Sequence, residues 1–409
     1  MTMYFHRDLE SAFMDASAQF PVLLLTGPRQ VGKTTLLRHL CGADRRYVTL
    51  DDLTLRSLAN EDPGLFLQRY RPPVLIDEVQ YAPNLLPYIK METDTSRTPG
   101  AFWLTGSQQF HMMKGITESL AGRVAVVRML GFSRREIGRS NPIVGPFLPT
   151  RHALEERAVT AGAAKLDTIY KLIWMGSYPA LHAGSVHDRD LFYSSYLQTY
   201  LQRDVRDLSQ VGDQQSFVRF IKACAARTAQ MLNFSDLARD VDVSVKTAKA
   251  WLSILEASFQ IALVQPYHSN VTKRLVKTPK LYFLDTGLCS YLTEWSSPET
   301  LASGAMSGAF FETFAYTEIL KSWWHRMRTP NLYYYRDKDT KEIDFVFEQD
   351  QTLYPVEVKR SATPKREWVQ AFVVLDRLKK TVGEGGVICM CEEITPLSLS
   401  TNAIPIGVV

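Results

Sequence analysis

The stretch Gly27-Pro28-Arg29-Gln30-Val31-Gly32-Lys33-Thr34 fits G-x-x-x-x-G-K-[ST]. The apolar run Pro21 to Leu25 precedes it, and a helical segment, Thr35 to Cys41, follows. Strand, glycine turn and helix in that order commit the N-terminal part of the chain to a parallel α/β sheet. Glycines let backbone amides approach phosphate oxygens, and the helix N-terminus adds donors and a positive dipole. Lys33 can reach the β and γ oxygens while the Thr34 hydroxyl holds magnesium. The segment Gly27 to Thr35 is therefore the nucleotide-binding candidate, with ATP and Mg2+ as expected cofactors. In a chain of 409 residues, residue frequencies put a chance match on the order of one per cent.

Further apolar runs at Tyr47 to Leu50, Val74 to Ile76, Ala101 to Leu104 and Val124 to Leu130 complete a five-stranded sheet with helices between. Val74-Leu75-Ile76-Asp77-Glu78 is a strand ending in two acids: Asp77 suits magnesium and Glu78 suits polarisation of the attacking water. The next strand ends in Leu104-Thr105-Gly106-Ser107, so a hydroxyl at its C-terminal edge can sense the γ-phosphate. Ser107 is the first candidate and Thr105 the reserve.

The chain length implies two or three domains. A formal charge of +4, from 47 basic and 43 acidic residues, is too weak a global field to name a polyanion partner, so any nucleic-acid signal has to be local. The five cysteines read as buried thiols, with Cys389 and Cys391 on one strand face. No apolar stretch approaches the roughly 18 residues of a membrane span, and the opening MTMYFHRDLESAF lacks a signal-peptide core. A cytoplasmic location without membrane contact is expected.

The runs GPRQVGKTT, VLIDEVQ, LTGSQ and ESLAGR, with Trp174-Met175-Gly176-Ser177-Tyr178-Pro179 and Tyr200-Leu201-Gln202-Arg203-Asp204, resemble a bacterial and archaeal family. That family joins an AAA-type ATPase domain to a C-terminal domain of unassigned function. The resemblance implies ATP binding, a centrally placed P-loop strand and assembly into a homo-oligomer, either a dimer or a ring. Arg123 matches the Ala-Gly-Arg position, as an arginine finger acting in trans or as a within-chain γ-phosphate contact; Arg203 is a weaker candidate. No second-sensor arginine motif is recognisable.

Phe234 to Val241, capped by Asn233 or Ser235, and Val245 to Ala257, capped by Ser244, read as a helix-turn-helix within a winged-helix unit. Lys246 and Lys249 are expected on the exposed face of the second helix. Between Ala257 and Leu284 there is no acid, while Lys273, Arg274, Lys277 and Lys280 cluster there. A basic wing making phosphate contacts to DNA is one reading, and a winged helix used for domain packing is the other.

Further on, Asp344 lies in Glu342-Ile343-Asp344-Phe345, and Glu357-Val358-Lys359 follows Tyr354 to Val356. On paired strands the two-residue period puts Glu357 and Lys359 on one face, within reach of Asp344 across the hairpin. A helix starting at Gly308 brings Glu312. This order of helix, D and E-x-K resembles the PD-(D/E)XK nuclease fold. Asp344, Glu357 and Glu312 are its candidate magnesium ligands, and Lys359 would position water or stabilise developing charge. Ile343 stands where the name-giving motif has proline. Such a fold also serves binding or dimerisation without cleavage.

The expected architecture is α/β throughout: an AAA-type P-loop ATPase domain at 1–145, a helical connector or lid at 146–215, a winged-helix-like domain at 216–295 and a restriction-endonuclease-like domain at 296–409. The expected function is an ATPase acting on or with DNA, by processing or remodelling and with possible magnesium-dependent nuclease action. An ATP-driven interaction switch that cuts nothing is the competing class.

Overall fold

A computed structural model describes residues 4–106, 119–139, 144–159, 166–200, 214–268 and 278–409. The five anticipated strands form: β1 (Val22–Thr26), β2 (Arg46–Thr49), β3 (Val74–Asp77), β4 (Phe102–Gly106) and β5 (Val124–Arg128), all parallel, in the order β2-β3-β4-β1-β5. The P-loop strand β1 is thus interior, one strand in from the β5 edge and not at the centre that the resemblance implied. Every residue of β1, β3 and β4 is buried, which is why these strands read as apolar runs without alternation. Their two faces nevertheless part company. Leu23, Leu25 and Trp103 join a core that continues through the rest of the molecule, whereas Val22, Leu24, Ile76 and Leu104 close a local one against the helices Leu53–Glu61 and Leu85–Thr95.

The next stretch is helical, including Arg151–Ala158, Leu166–Met175, Arg189–Tyr200 and Gln214–Ala225. The motif Trp174 to Pro179 serves as a joint within it. Gly176 has φ +80°, and an added Cβ would fall 2.2 Å from the Tyr193 hydroxyl, so only glycine fits. Beside it, buried Asp285 accepts from the Ser177 amide at 2.8 Å, the Ser177 hydroxyl at 2.7 Å and Tyr193 at 2.9 Å.

The helices Phe234–Asp240 and Val245–Ala257 are capped by Asn233 and Ser244 and pack on a small sheet, β6 (Gln230–Met231), β8 (Lys280–Phe283) and β7 (Ile261–Val264) in that spatial order. After the helix Ser307–Trp324 comes an antiparallel meander, β9 (Leu332–Arg336), β10 (Glu342–Gln349) and β11 (Thr352–Val358). Asp350 and Gln351 turn the β10–β11 hairpin with φ of 48° and 62°, the two left-handed residues that a tight hairpin needs. A helical segment, Arg366–Leu378, leads through the short β12 (Thr381–Val382), beside β11, to β13 (Gly385–Cys389), parallel to β11; β14 (Thr395–Pro396) and β15 (Thr401–Pro405) extend the sheet. Tyr267 donates its amide to Tyr334 at 2.6 Å, tying the small sheet to β9.

The four expected units share one continuous apolar core that includes Leu9, Tyr170, Leu252 and Val408. An ionic joint runs beside it. The buried Arg7 guanidinium donates to Glu136 at 2.9 Å, to the Val31 carbonyl of the P-loop at 2.9 Å and to the Leu130 carbonyl at 2.7 Å. Asp8, Glu136 and His325 place ligand-type atoms within 4.8 Å of one another, but Arg7 and Arg326 already supply positive charge there. Among the described residues no helix is long and apolar enough to cross a membrane.

Candidate functional site

The turn from β1 into the helix Lys33–Leu40 has the geometry of a phosphate cradle. An added Cβ on Gly27 would lie 2.0 Å from the Met129 carbonyl oxygen, so any side chain is excluded. Gln30 and Gly32 take φ of 61° and 92°, the left-handed turns from which anion-binding loops are built. The Lys33 ammonium bridges the carbonyls of Gly27 at 2.9 Å and Pro28 at 2.7 Å. Thr34 donates its hydroxyl to Asp77 at 2.9 Å, and Tyr47 donates to the other oxygen of Asp77 at 3.1 Å. The hydroxyl and carboxylate expected to share magnesium are therefore already together.

Thr105, the reserve candidate, is fully buried. Its hydroxyl donates to Asp77 and accepts the Glu78 amide at 3.0 Å. That proton is committed, so Thr105 fixes the acidic pair instead of facing a phosphate. Ser107 and Arg203 lie outside the described residues. Glu78 sits at φ 58°, and its carboxylate accepts from Gln80, a partner the sequence reading missed although it closes the VLIDEVQ run.

Arg123 stands at the head of β5 and ion-pairs with Asp94 at 2.5 Å. Because β1 and β5 are parallel and in register from Val22↔Val124 to Thr26↔Arg128, a full strand separates it from the phosphate loop, roughly 15 Å at about 3.3 Å per residue. The within-chain γ-phosphate contact does not fit this placement; the alternative in trans is untouched by it.

A cavity of about 330 Å³ opens beside the loop, between Tyr4, Phe5, Gly32, Thr35 and the turn at Pro179. Tyr4 stacks on His39 with centroids 3.7 Å apart. Its size and aromatic wall would admit a planar ring. The signal was an aromatic pair, Tyr4-Phe5, ahead of the first helix.

The second constellation assembles from three elements. In the β10–β11 register Phe345 faces Val356, which sets Asp344 against Glu357, as the two-residue period required. Asp344 accepts the Val358 amide at 2.9 Å, and Lys359 pairs with Glu357 at 2.5 Å. The second oxygen of Glu357 is buried without a hydrogen-bond partner. Burial, reinforced by Asp344 and offset by Lys359, raises the Glu357 carboxyl to about 8. Glu312, on the helix Ser307–Trp324, accepts from Tyr282 at 2.6 Å and Lys280 at 3.1 Å. Burial and Asp344 push its carboxyl to about 7, although two donors on one oxygen favour the ionised form at neutral pH.

Lys280 overturns one expectation. It was assigned to the DNA-contacting wing, yet it is 3% exposed and lies 2.6 Å from Glu342, 3.1 Å from Glu312 and 3.4 Å from Asp344. Burial opposes its charge, but Glu312, Asp344 and Glu342 outweigh burial and raise its pKa. A residue so enclosed cannot reach a DNA phosphate. Lys246 and Lys249 are exposed on their helix as anticipated; Lys273, Arg274 and Lys277 lie outside the described residues.

Residues 19–138 match the family described as an AAA domain. With the strand order and the loop geometry, that match assigns the N-terminal unit. It is an AAA-type P-loop ATPase domain. Residues 166–299 and 307–409 match two domains of unknown function, DUF8612 and DUF4143. Uncharacterized proteins of Mycobacterium tuberculosis and Mycobacterium bovis are each 29% identical over 405 residues, covering 98% of this chain and 83% of theirs. Among solved structures, a Walker-type ATPase of Pyrococcus abyssi aligns over 71% of this chain and 96% of its own, at 15% identity and a TM-score of 0.43. The Thermotoga maritima RuvB Holliday junction branch migration motor aligns over 62% and 85%, at 14% identity and a TM-score of 0.28.

Proposed function

We propose that the chain binds and hydrolyses ATP with magnesium and uses that cycle to drive or gate a DNA-associated activity of its C-terminal half. The observation that carries the nucleotide part is the Thr34–Asp77 contact at 2.9 Å, which brings the two halves of a magnesium site together beside the Gly27 cradle. Bound magnesium neutralises charge on the phosphates. Lys33 leaves the loop carbonyls for the β and γ oxygens, Glu78 accepts a proton from the attacking water, and Gln80 orients Glu78 until then. Arg123 is half-exposed and free of any contact with its own phosphate loop, which suits an arginine serving a neighbouring copy in a dimer or ring.

The DNA part is supported by a capped helix pair on a three-stranded sheet, elements a winged helix would combine, with Lys246 and Lys249 outward. The nuclease-like part is supported by the order helix, three-stranded meander, helical segment, parallel strand, with Asp344, Glu357 and Lys359 on one face. A non-cutting switch is the second reading. It is favoured by Lys280, which already neutralises much of the carboxylate cluster.

The test is ATP turnover with and without single-stranded, duplex and branched DNA, alongside cleavage assays of wild type, Asp344→Ala and Lys359→Ala. Stimulation by DNA is expected. Lys246→Ala with Lys249→Ala should lower the salt slope of DNA binding by about two. Turnover indifferent to every DNA, with none retained at low salt, decides for the switch; equal cutting by wild type and variants indicates a contaminant.

A further inference from the structure

We propose that the carboxylate cluster is a composite site for a single divalent cation, completed by Lys280 of β8, whose ammonium occupies the side where a second cation would sit. The proposal rests on reading the cluster as a divalent-cation site and adds its stoichiometry and the residue that sets it.

The cluster divides into two sides. On one, Glu312 and Glu342 hold the Lys280 ammonium at 3.1 and 2.6 Å, and Arg336 pairs with Glu342 at 3.2 Å. These two carboxylates make the shorter of the Lys280 contacts. On the other, Asp344 is 3.4 Å from Lys280 and keeps one oxygen on the Val358 amide, while Glu357 has one oxygen on Lys359 and the other buried with no partner. The Glu357 side chain is 10% exposed, so that orphan oxygen is shielded from water. Leaving such an atom unmatched is unfavourable unless something else binds it. Carboxylate oxygens such as those of Asp344 and Glu357 are the donors that magnesium or manganese takes.

Charge counting selects one ion. With Glu342 matched by Arg336 and the Glu357 proton displaced as the cation binds, the inner set is Glu312, Asp344 and Glu357 against Lys280 and Lys359, a net of minus one. One divalent cation brings this to plus one, and a phosphodiester monoanion then brings it to zero. A second divalent cation would leave plus two with the phosphodiester present, in a site where Asp344 and Glu357 are nine-tenths buried and unbalanced charge is costly. Lys280 comes from the small sheet, outside the meander that carries Asp344 and Glu357. The site is therefore built between two units of the chain.

The experiment is Mn2+ binding to the nucleotide-free full chain, read by calorimetry and by loss of the free-ion electron paramagnetic resonance signal. Wild type should bind one ion at this site, and Asp344→Asn should lose it. Lys280→Met should bind manganese at least tenfold more tightly, and Lys280→Arg should stay within about threefold of wild type. Should Lys280→Met not fold, Glu312→Gln carries the test: it removes a carboxylate from the ammonium's side and must still bind one ion. Two Asp344-dependent ions in wild type, unchanged affinity in Lys280→Met, or loss of the ion in Glu312→Gln overturns the proposal while sparing the cation reading. Absence of any Asp344-dependent manganese overturns both.

Discussion

The two lysine–carboxylate constellations handle charge in opposite ways. At the phosphate loop, Lys33 rests on backbone carbonyls and Asp77 on the hydroxyls of Thr34 and Tyr47. Neutral dipoles hold each ion, so both charges remain available to a polyanionic ligand and its metal. In the C-terminal cluster ammonium meets carboxylate directly, three times at Lys280 and once at Lys359. Most of that charge is balanced before any ligand arrives. The first arrangement suits repeated binding and release of a highly charged molecule; the second suits one small cation under tight constraint.

The largest expected effect breaks the first site alone. Lys33→Ala should reduce ATP turnover by about 10³-fold or more, roughly 4 kcal/mol of transition-state stabilisation. Glu78→Gln should reduce it by about 10²-fold while ATP binding persists. Steady-state turnover paired with nucleotide binding separates the two, and a variant that hydrolyses ATP normally removes its residue from the site. Next comes the joint between the regions. Arg7→Ala strands buried Glu136 and the Val31 and Leu130 carbonyls, which should lower unfolding free energy by about 3 to 5 kcal/mol in urea titrations. A loss below 1 kcal/mol there would mean the joint is not where the units are tied. In the second site Tyr282→Phe removes only the 2.6 Å bond to Glu312, and a cost of about 1 to 2 kcal/mol is expected in the same titration.

How much was legible follows from the same contrast. The phosphate loop and the acidic strand end are contiguous in sequence, and their neighbours Pro21 to Leu25 and Val74 to Ile76 declare the strands, so fold and residues could be read together. The hairpin pairing of Asp344 with Glu357 was also legible, because it needs only the strand period and a short turn. Lys280 was not. Its neighbours Lys273, Arg274 and Lys277 made it look like one more solvated charge, and its partners are 32, 62 and 64 positions away. A local clue existed: in Lys280-Leu281-Tyr282-Phe283 the strand period puts Lys280 and Tyr282 on one face, and both meet Glu312. Tyr4 and Phe5 were missed for a different reason. A cavity wall has no fixed spacing from the loop it flanks, so only the folded chain brings Tyr4 beside His39.

The smallest effect concerns the joint and needs the sign of two opposing groups. Burial, with Arg7, Lys321 and Arg326 opposing Glu136, lowers His325 from 6.5 to about 3. Its stabilising contribution is therefore complete above pH 6.5 and declines as acid protonates the unfolded chain first. Asp8 moves the other way: burial and Glu136, against Arg326, Arg135 and Arg7, raise it from 3.8 to about 6. Its penalty is present above pH 6 and is relieved as pH falls toward 3.8. Between pH 6.5 and 5 the histidine should therefore remove stability while the aspartate returns it. Glu136, lowered to about 2, begins to contribute only below this window. The two groups thus oppose each other across this window, and each can be unmasked. Relative to wild type, Asp8→Asn should lose stability on acidification from pH 6.5 to 5, and His325→Asn should gain it. Differences against wild type cancel the carboxylates of the second site. If both variants keep the wild-type slope, neither group titrates with folding, and the joint is held by the arginine–glutamate pair alone.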